Sequence, residues 1–302
     1  MGALRRIMCT AWSELAESLR NRRAMMVLMV FLTASGLAMY AATGLVSSLE
    51  QEVVGVLQLP PGEGTGSVTA SLWKSKPFRR MVKGTVKDPL VYAAVQNRHP
   101  FELLYAFFVF AYVPILAVLT SGSRVCDEVA SGAVCFQLLR VRRHEWVFGK
   151  WLGQCLLQLP GLVLGGLVAY GILVWRVPDA GTAGLLPAIQ LWSFKAWFLL
   201  SAWVGLAMSI SLVTRSQAKA NSWAFFLVLL FTILPRRMLL WPECADFRGW
   251  ASHFIELFPV GIVGQLWEGD FACWFTGGLR LLALSLFYLS FGYAVFAWRD
   301  AR

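Results

Sequence analysis

Six long apolar runs constrain this chain more than any other feature. A segment lying in lipid must satisfy its own backbone hydrogen bonds, and roughly 20 helical residues cross the hydrocarbon core of a bilayer. The runs occupy 24–46, 101–121, 146–175, 193–213, 220–235 and 279–298 of 302 residues. The first holds no charged residue and is bracketed by Arg20, Arg22 and Arg23 on one side and by Glu50 and Glu52 on the other. Pro114 is expected to kink the second, and Lys195 stands near enough to one end of the fourth to snorkel. With 58% hydrophobic and only 15% charged residues, the chain is too apolar for a water-exposed globule. It reads as an all-α polytopic membrane protein, a single transmembrane domain over 1–302.

A net charge of +10 invites a nucleic-acid reading, but the basic residues sit mostly beside the apolar runs, so the expected partner is the lipid bilayer and not nucleic acid. Six crossings place both termini on one side. That side carries 14 Lys/Arg. The other carries 8, once Lys74, Lys76, Arg79, Arg80 and Lys83 are set aside as too deep in a long loop to bias orientation. The balance predicts cytoplasmic termini. The first run is too long for a signal peptide and is read as a retained helix. Of 14 Trp, six (Trp146, Trp151, Trp175, Trp223, Trp241 and Trp298) fall near run ends as interface anchors should, while Trp203 lies mid-run and is expected to pack against a neighbour.

Between the runs, three segments carry information. In 1–23, Leu4, Ile7, Met8, Ala11, Trp12, Leu15 and Leu19 recur at spacings of three and four, with Arg5, Arg6, Glu14 and Glu17 elsewhere on the wheel. This predicts a helix in the membrane interface, with Arg5, Trp12 and Leu15 as anchors; the alternative is a plain extension of the first crossing. Residues 47–100 form a hydrophilic insert, external on this orientation and either a small subdomain or a lid. Its basic stretch 74–87 faces anionic headgroups or acidic cargo, or is simply solvated. Residues 236–278, with Trp241, Trp250, Trp267 and Trp274, read as an external interfacial or re-entrant pair of short helices.

The loop 122–145 is the most specific part. Asp127 and Glu128 suit a helix start, Val129, Val134, Phe136, Leu138 and Leu139 give an apolar surface, and Arg140, Arg142 and Arg143 suit the other end. At Glu128, Gly132, Leu138, Leu139, Arg143, Gly149 and Lys150 the chain resembles the permease subunits of ABC-2-type ATP-binding-cassette transporters. The resemblance continues in order through 211–220, Phe258-Pro259 with Gly269-Asp270, and Trp298-Arg299-Asp300, covering nearly everything except 47–100.

What the resemblance implies is a permease that pairs with separate cytosolic ATPase subunits, dimerises with a second permease copy and resides in a bacterial inner (plasma) membrane. A loop helix would dock on the ATPase, here through Glu128, Gly132, Phe136, Leu138, Arg142 and Arg143. No cofactor is expected on this chain, because Gly149-Lys150 is followed by Trp151 and lacks the phosphate-cradling glycines. ATP and Mg would belong to the partner. Two other classes remain open: a transport-inactive anchor or mechanotransmitting scaffold, and a membrane enzyme. The enzyme is disfavoured because His99, His144 and His253 lie in separate segments without metal spacing, and the six apolar runs hold no carboxylate beyond Glu102 at the mouth of the second. Cys244 and Cys273 share one segment and either pair or remain free thiols. Composition does not name a cargo.

Overall fold

A computed structural model describes residues 2–57, 98–177, 184–214, 216–239 and 255–300. The bulk of the insert, Trp241, Trp250, Cys244 and His253 lie outside the described residues. Among the described residues the chain is helical throughout, with no strand. In chain order the helices are α1 (Ala3–Arg20), α2 (Arg22–Leu57), α3 (Pro100–Ser121), α4 (Arg124–Ala130), α5 (Ala133–Leu138), α6 (Arg143–Arg176), α7 (Leu185–Val213), α8 (Gln217–Leu239), α9 (Pro259–Leu266) and α10 (Phe271–Asp300). Six of these, α2, α3, α6, α7, α8 and α10, are long and apolar enough to cross a membrane. They contain the six runs but begin earlier or end later, because a helix does not stop where hydropathy falls. α7 starts eight residues before its run, and α10 likewise.

α7 is the pillar. Its apolar window is 89% buried inside the bundle, against 17% for α8. Lipid gives no hydrophobic drive for helix association, so close packing needs small residues, and α7 supplies them. A side chain at Gly205 would meet the Ser285 carbonyl oxygen of α10 at 2.5 Å, and one at Gly292 of α10 would meet the Ser209 Cα at 2.6 Å. The seam is tied by polar bonds. Ser285 Oγ donates to the Ser201 carbonyl at 2.6 Å and accepts from the Trp151 indole of α6 at 2.9 Å. α3 and α6 close the other sides of the pillar, and α2 lies across α3 and α6. The outward faces of α2, α8 and α10 present Met26, Met29, Leu37, Trp223, Phe226, Leu229, Phe287 and Phe291 to the surroundings, as a lipid-facing bundle should.

One end of the bundle gathers α1, α4, α5 and the start of α6; the opposite end gathers the start of α3, the start of α7 and α9. At that opposite end Lys195 departs from the expected snorkel. It lies more than two turns inside α7 and is fully buried, its ammonium donating to the carbonyls of Leu266 (2.7 Å) and Glu268 (2.9 Å) at the end of α9. The cation therefore caps a helix C-terminus, where the backbone dipole is negative, between the faces of Trp192 and Trp274 at 4.6 and 5.3 Å. Beside it Glu102 accepts from Arg98 at 2.6 Å and from the Trp192 indole at 2.7 Å. Burial pushes the neighbouring His99 imidazole below its ordinary value, and Glu102 only partly opposes this.

The Trp expectation divides. Trp175, Trp223 and Trp298 are exposed near helix ends, Trp151 is half-buried, and Trp203 is fully buried mid-helix. Trp146 is no interface anchor: it is fully buried, donates its indole N–H to Gln137 and packs 6.4 Å from Phe296. Its place at the start of α6 puts it under α5 and not at the bilayer surface.

Candidate functional site

The loop expected to form one helix across the bundle end forms two. α4 and α5 are separated at Ser131-Gly132, and Gly132 takes φ 73°, the left-handed conformation that a Cβ disfavours. The turn folds α5 back so that Val134 is buried and Leu138 packs partly on the core, while Phe136 and Leu139 stand 76% and 84% exposed. Cys135, Arg140, Arg142 and Arg143 are exposed around them. The result is an apolar tip ringed by arginines. It is held from beneath: the Cys126 N–H donates to Ser211 Oγ of α7 at 2.9 Å, and Gln137 accepts from Trp146.

Glu128 is not part of that exposed tip. Its carboxylate turns inward and pairs with Lys150 on the second turn of α6. The same ammonium pairs with Glu14 of α1 at 2.5 Å. Glu14 Oε1 accepts from Gln154 at 2.6 Å, and Ser18 Oγ accepts from Gln154 and from Arg124 of α4 at 3.2 and 3.0 Å. One cation thus joins three elements. Burial on its own raises the Glu14 carboxyl, but the charge and hydrogen bond of Lys150, with help from Arg124 and Gln154, outweigh it and leave the group below its ordinary value. Glu14, Glu17 and Glu128 place oxygens within 4.8 Å of one another. The Lys150 ammonium bonds two of the three, so the cluster reads as an ion-pair node and not as a metal centre.

A second bridge fixes the other end of α1. Arg6 forks onto Glu145, with Nε to Oε2 at 2.7 Å and Nη2 to Oε1 at 2.6 Å. Glu145, fully buried, also accepts from the Arg142 backbone N–H at 3.2 Å, capping the first turn of α6. Close approach makes these bonds reachable. A Cβ at Gly149 would lie 2.5 Å from Thr10 Cβ, and one at Gly153 would lie 2.8 Å from the Ala11 carbonyl oxygen. Gly149-Lys150 therefore combines a gap for α1 with the charge that clasps it.

The N-terminal helix accordingly has two working faces. Ala11, Glu14 and Ser18 are buried against α6. Leu4, Met8, Trp12 and Leu19 form an exposed stripe, with Arg5 exposed beside it. Leu15 is half-buried between the two faces. The sequence reading missed Arg6, Glu14, Ser18, Glu145 and Gln154 as partners, placing Arg6 and Glu14 only on the wheel away from the apolar positions. The signal was present as matching small-and-polar spacings: Thr10, Glu14, Ser18 on α1 and Gly149-Lys150, Gly153-Gln154 on α6. At the opposite end Cys273 is exposed and has no cysteine partner among the described residues, and the pairing with Cys244 falls outside them.

The family model described as ABC-2 family transporter protein matches residues 8–246, from inside α1 past the end of α8. The chain belongs to the ABC-2 transporter family. The match takes in the whole α4–α5 hairpin and Glu14, Lys150 and Gln154. With its six membrane-crossing helices, this ABC-2 protein is an integral membrane permease, the transmembrane component of an ABC transporter and not the ATPase. Permeases of this family work with ABC ATPase partners. No curated protein matches the chain closely enough to add a narrower function.

Proposed function

We propose that this permease is the membrane subunit of an ABC exporter whose separate cytosolic ATPase docks on the α4–α5 hairpin, and that both termini face the cytoplasm of a bacterial inner membrane. The observation that carries this reading is the exposed tip. Phe136 and Leu139 stand out from the bundle end, among arginines, on a backbone anchored by buried polar bonds. Large apolar side chains held rigidly outside a membrane bundle suit a protein partner, with the apolar pair as anchors and Arg142 and Arg143 as the charged rim. Gly132 supplies the turn, Leu138 roots the tip in the core, and Glu128 acts from behind through Lys150. ATP and Mg are bound by the partner. The exposed stripe Leu4, Met8, Trp12, Leu19, with Arg5 beside it, lies in the headgroup region, with Leu15 at its edge. A second permease copy completes the pathway, supported by the thinly packed, aromatic face of α8.

The test begins with the tagged chain purified in mild detergent from membranes of its source cell. A Mg-ATPase should co-purify, and Phe136→Asp with Leu139→Asp should reduce it at least tenfold while the permease itself is recovered in full. Retention of the ATPase by that double variant refutes the docking assignment. For topology, single-cysteine chains keeping Cys135 or Cys273, both exposed, are treated with a membrane-impermeant maleimide. Intact cells should label Cys273 alone, and labelling of Cys135 there reverses the orientation. Movement of cargo that depends on ATP hydrolysis separates the exporter from a transport-inactive scaffold.

A further inference from the structure

Lys150 serves two carboxylates that belong to different helices, α1 and α4, and the two are not equally held. Both oxygens of Glu14 are taken, Oε2 by Lys150 and Oε1 by Gln154. Among the described residues Glu128 has only Lys150, and its Oε2 is buried there with no hydrogen-bond partner. An unsatisfied buried acceptor weakens its own arm. α1 has further support from the Arg6 fork on Glu145 and from Ser18 on Gln154. α4 holds a further bond to α1, from Arg124 to Ser18, and one to α7, through the Cys126 N–H. We infer that Lys150 is a positioning residue that clasps α1 and the α4–α5 hairpin to the shaft of α6, with Glu14 as its fixed partner and Glu128 as the releasable one.

The asymmetry gives the clasp a direction. A pull on the hairpin breaks the Glu128 arm first: the ammonium stays paired to Glu14, and the Glu128 carboxylate moves out with α4 to be solvated. Release is then cheap for the cation, since the costly event is leaving a buried charge without any partner. Removing Lys150 altogether is different. It leaves Glu14, Glu128 and the nearby Glu17 facing one another, and like charges drive α1 and α4 apart as well as off α6.

This inference rests on the reading of α4–α5 as the ATPase-facing element, yet its first test does not need the ATPase. Hydrogen exchange is followed by mass spectrometry on the full chain in nanodiscs of its native lipids. Lys150→Met should speed exchange in both 11–20 and 124–130, on the order of a hundredfold. Lys150→Arg should restore slow exchange. Two milder variants guard against misfolding: Glu128→Gln should loosen 124–130 alone, and Glu14→Gln should loosen 11–20 alone. The clasp is overturned if Lys150→Met leaves either segment as slow as in the unmodified chain. The second test adds the co-purified ATPase with ATP and vanadate. Exchange in 124–130 should rise about tenfold on trapping in the unmodified chain, and should not rise further in Glu128→Gln, where the arm is already open. Unchanged exchange on trapping overturns release. If no ATPase is captured, the docking reading falls, while the first test still decides the clasp.

Discussion

Replacing Gly153 with Ala sets two effects of known size against each other. Alanine is a better helix former than glycine by about 0.8–1 kcal/mol, which favours the variant. Its methyl carbon would lie 2.8 Å from the Ala11 carbonyl oxygen and 2.8 Å from Glu14 Cβ, where comfortable carbon contacts are about 3.5–4.0 Å. The neighbour is backbone of α1, which cannot swing aside as a side-chain tip can, so α1 must withdraw by roughly 1 Å. Such overpacking costs about 1–3 kcal/mol, and the same withdrawal stretches the Lys150–Glu14 bond from 2.5 Å. The clash offsets the propensity gain and leaves a net loss of up to about 2 kcal/mol in α1 docking, or up to roughly 30-fold faster exchange over 3–20. Gly171 is the internal control: it lies on the same helix, and a methyl placed there would meet nothing within 4 Å, so Gly171→Ala should keep only the propensity gain. Exchange over 3–20 and thermal unfolding in detergent measure both. If Gly153→Ala behaves like Gly171→Ala, α1 does not pack on α6 as described.

Three further outcomes are expected. Lys195→Met removes two charge-assisted bonds to the Leu266 and Glu268 carbonyls, worth about 1.5–3 kcal/mol each, so exchange in α9 should rise steeply; unchanged protection there would show that Lys195 does not staple α9. Glu14 has a folded value depressed below its unfolded one, so its contribution is fully present above about pH 4.3 and is lost as pH falls through the depressed value. Acidification below that point should release α1, measured by exchange over 3–20, and Glu14→Gln should flatten the dependence; a release centred at neutral pH would contradict the ion pair. Gly132→Ala meets nothing within 4 Å, so its whole effect is left-handed strain of about 1–2 kcal/mol. Asn tolerates that conformation better, and equal loss of α5 protection in Gly132→Ala and Gly132→Asn would refute strain as the cause.

The six crossings were legible because lipid imposes one rule on every spanning residue, so a run such as 24–46 announces itself without reference to any neighbour. The helix ends were not, since Leu185 to Trp192 and Phe271 to Gly278 are held in helix by packing against other segments that hydropathy does not see. Phe136 was legible as apolar surface, and its exposure agrees. Glu128 and Glu14 were misplaced for a common reason. A carboxylate on a polar face is solvated unless a cation from a distant segment meets it, and the meeting of Glu14 with Lys150 spans 136 positions of chain.

Lys195 and Trp146 fail the sequence reading in the same way, and the shared cause is general for helical membrane bundles. Near a run end, hydropathy and interface preference assume that the bilayer surface is the nearest polar medium. In this bundle the nearest polar medium is protein: the backbone carbonyls ending α9 for Lys195, and the Gln137 side chain of the folded hairpin for Trp146. A buried cation or indole at such a place is satisfied by a short helix lying across the bundle end, so each marks where an element outside the membrane is fastened to one inside. Lys150 is the third instance. Each of the three, Trp146 and Lys150 in the first turns of α6 and Lys195 inside α7, therefore ties a crossing to an element packed over its end.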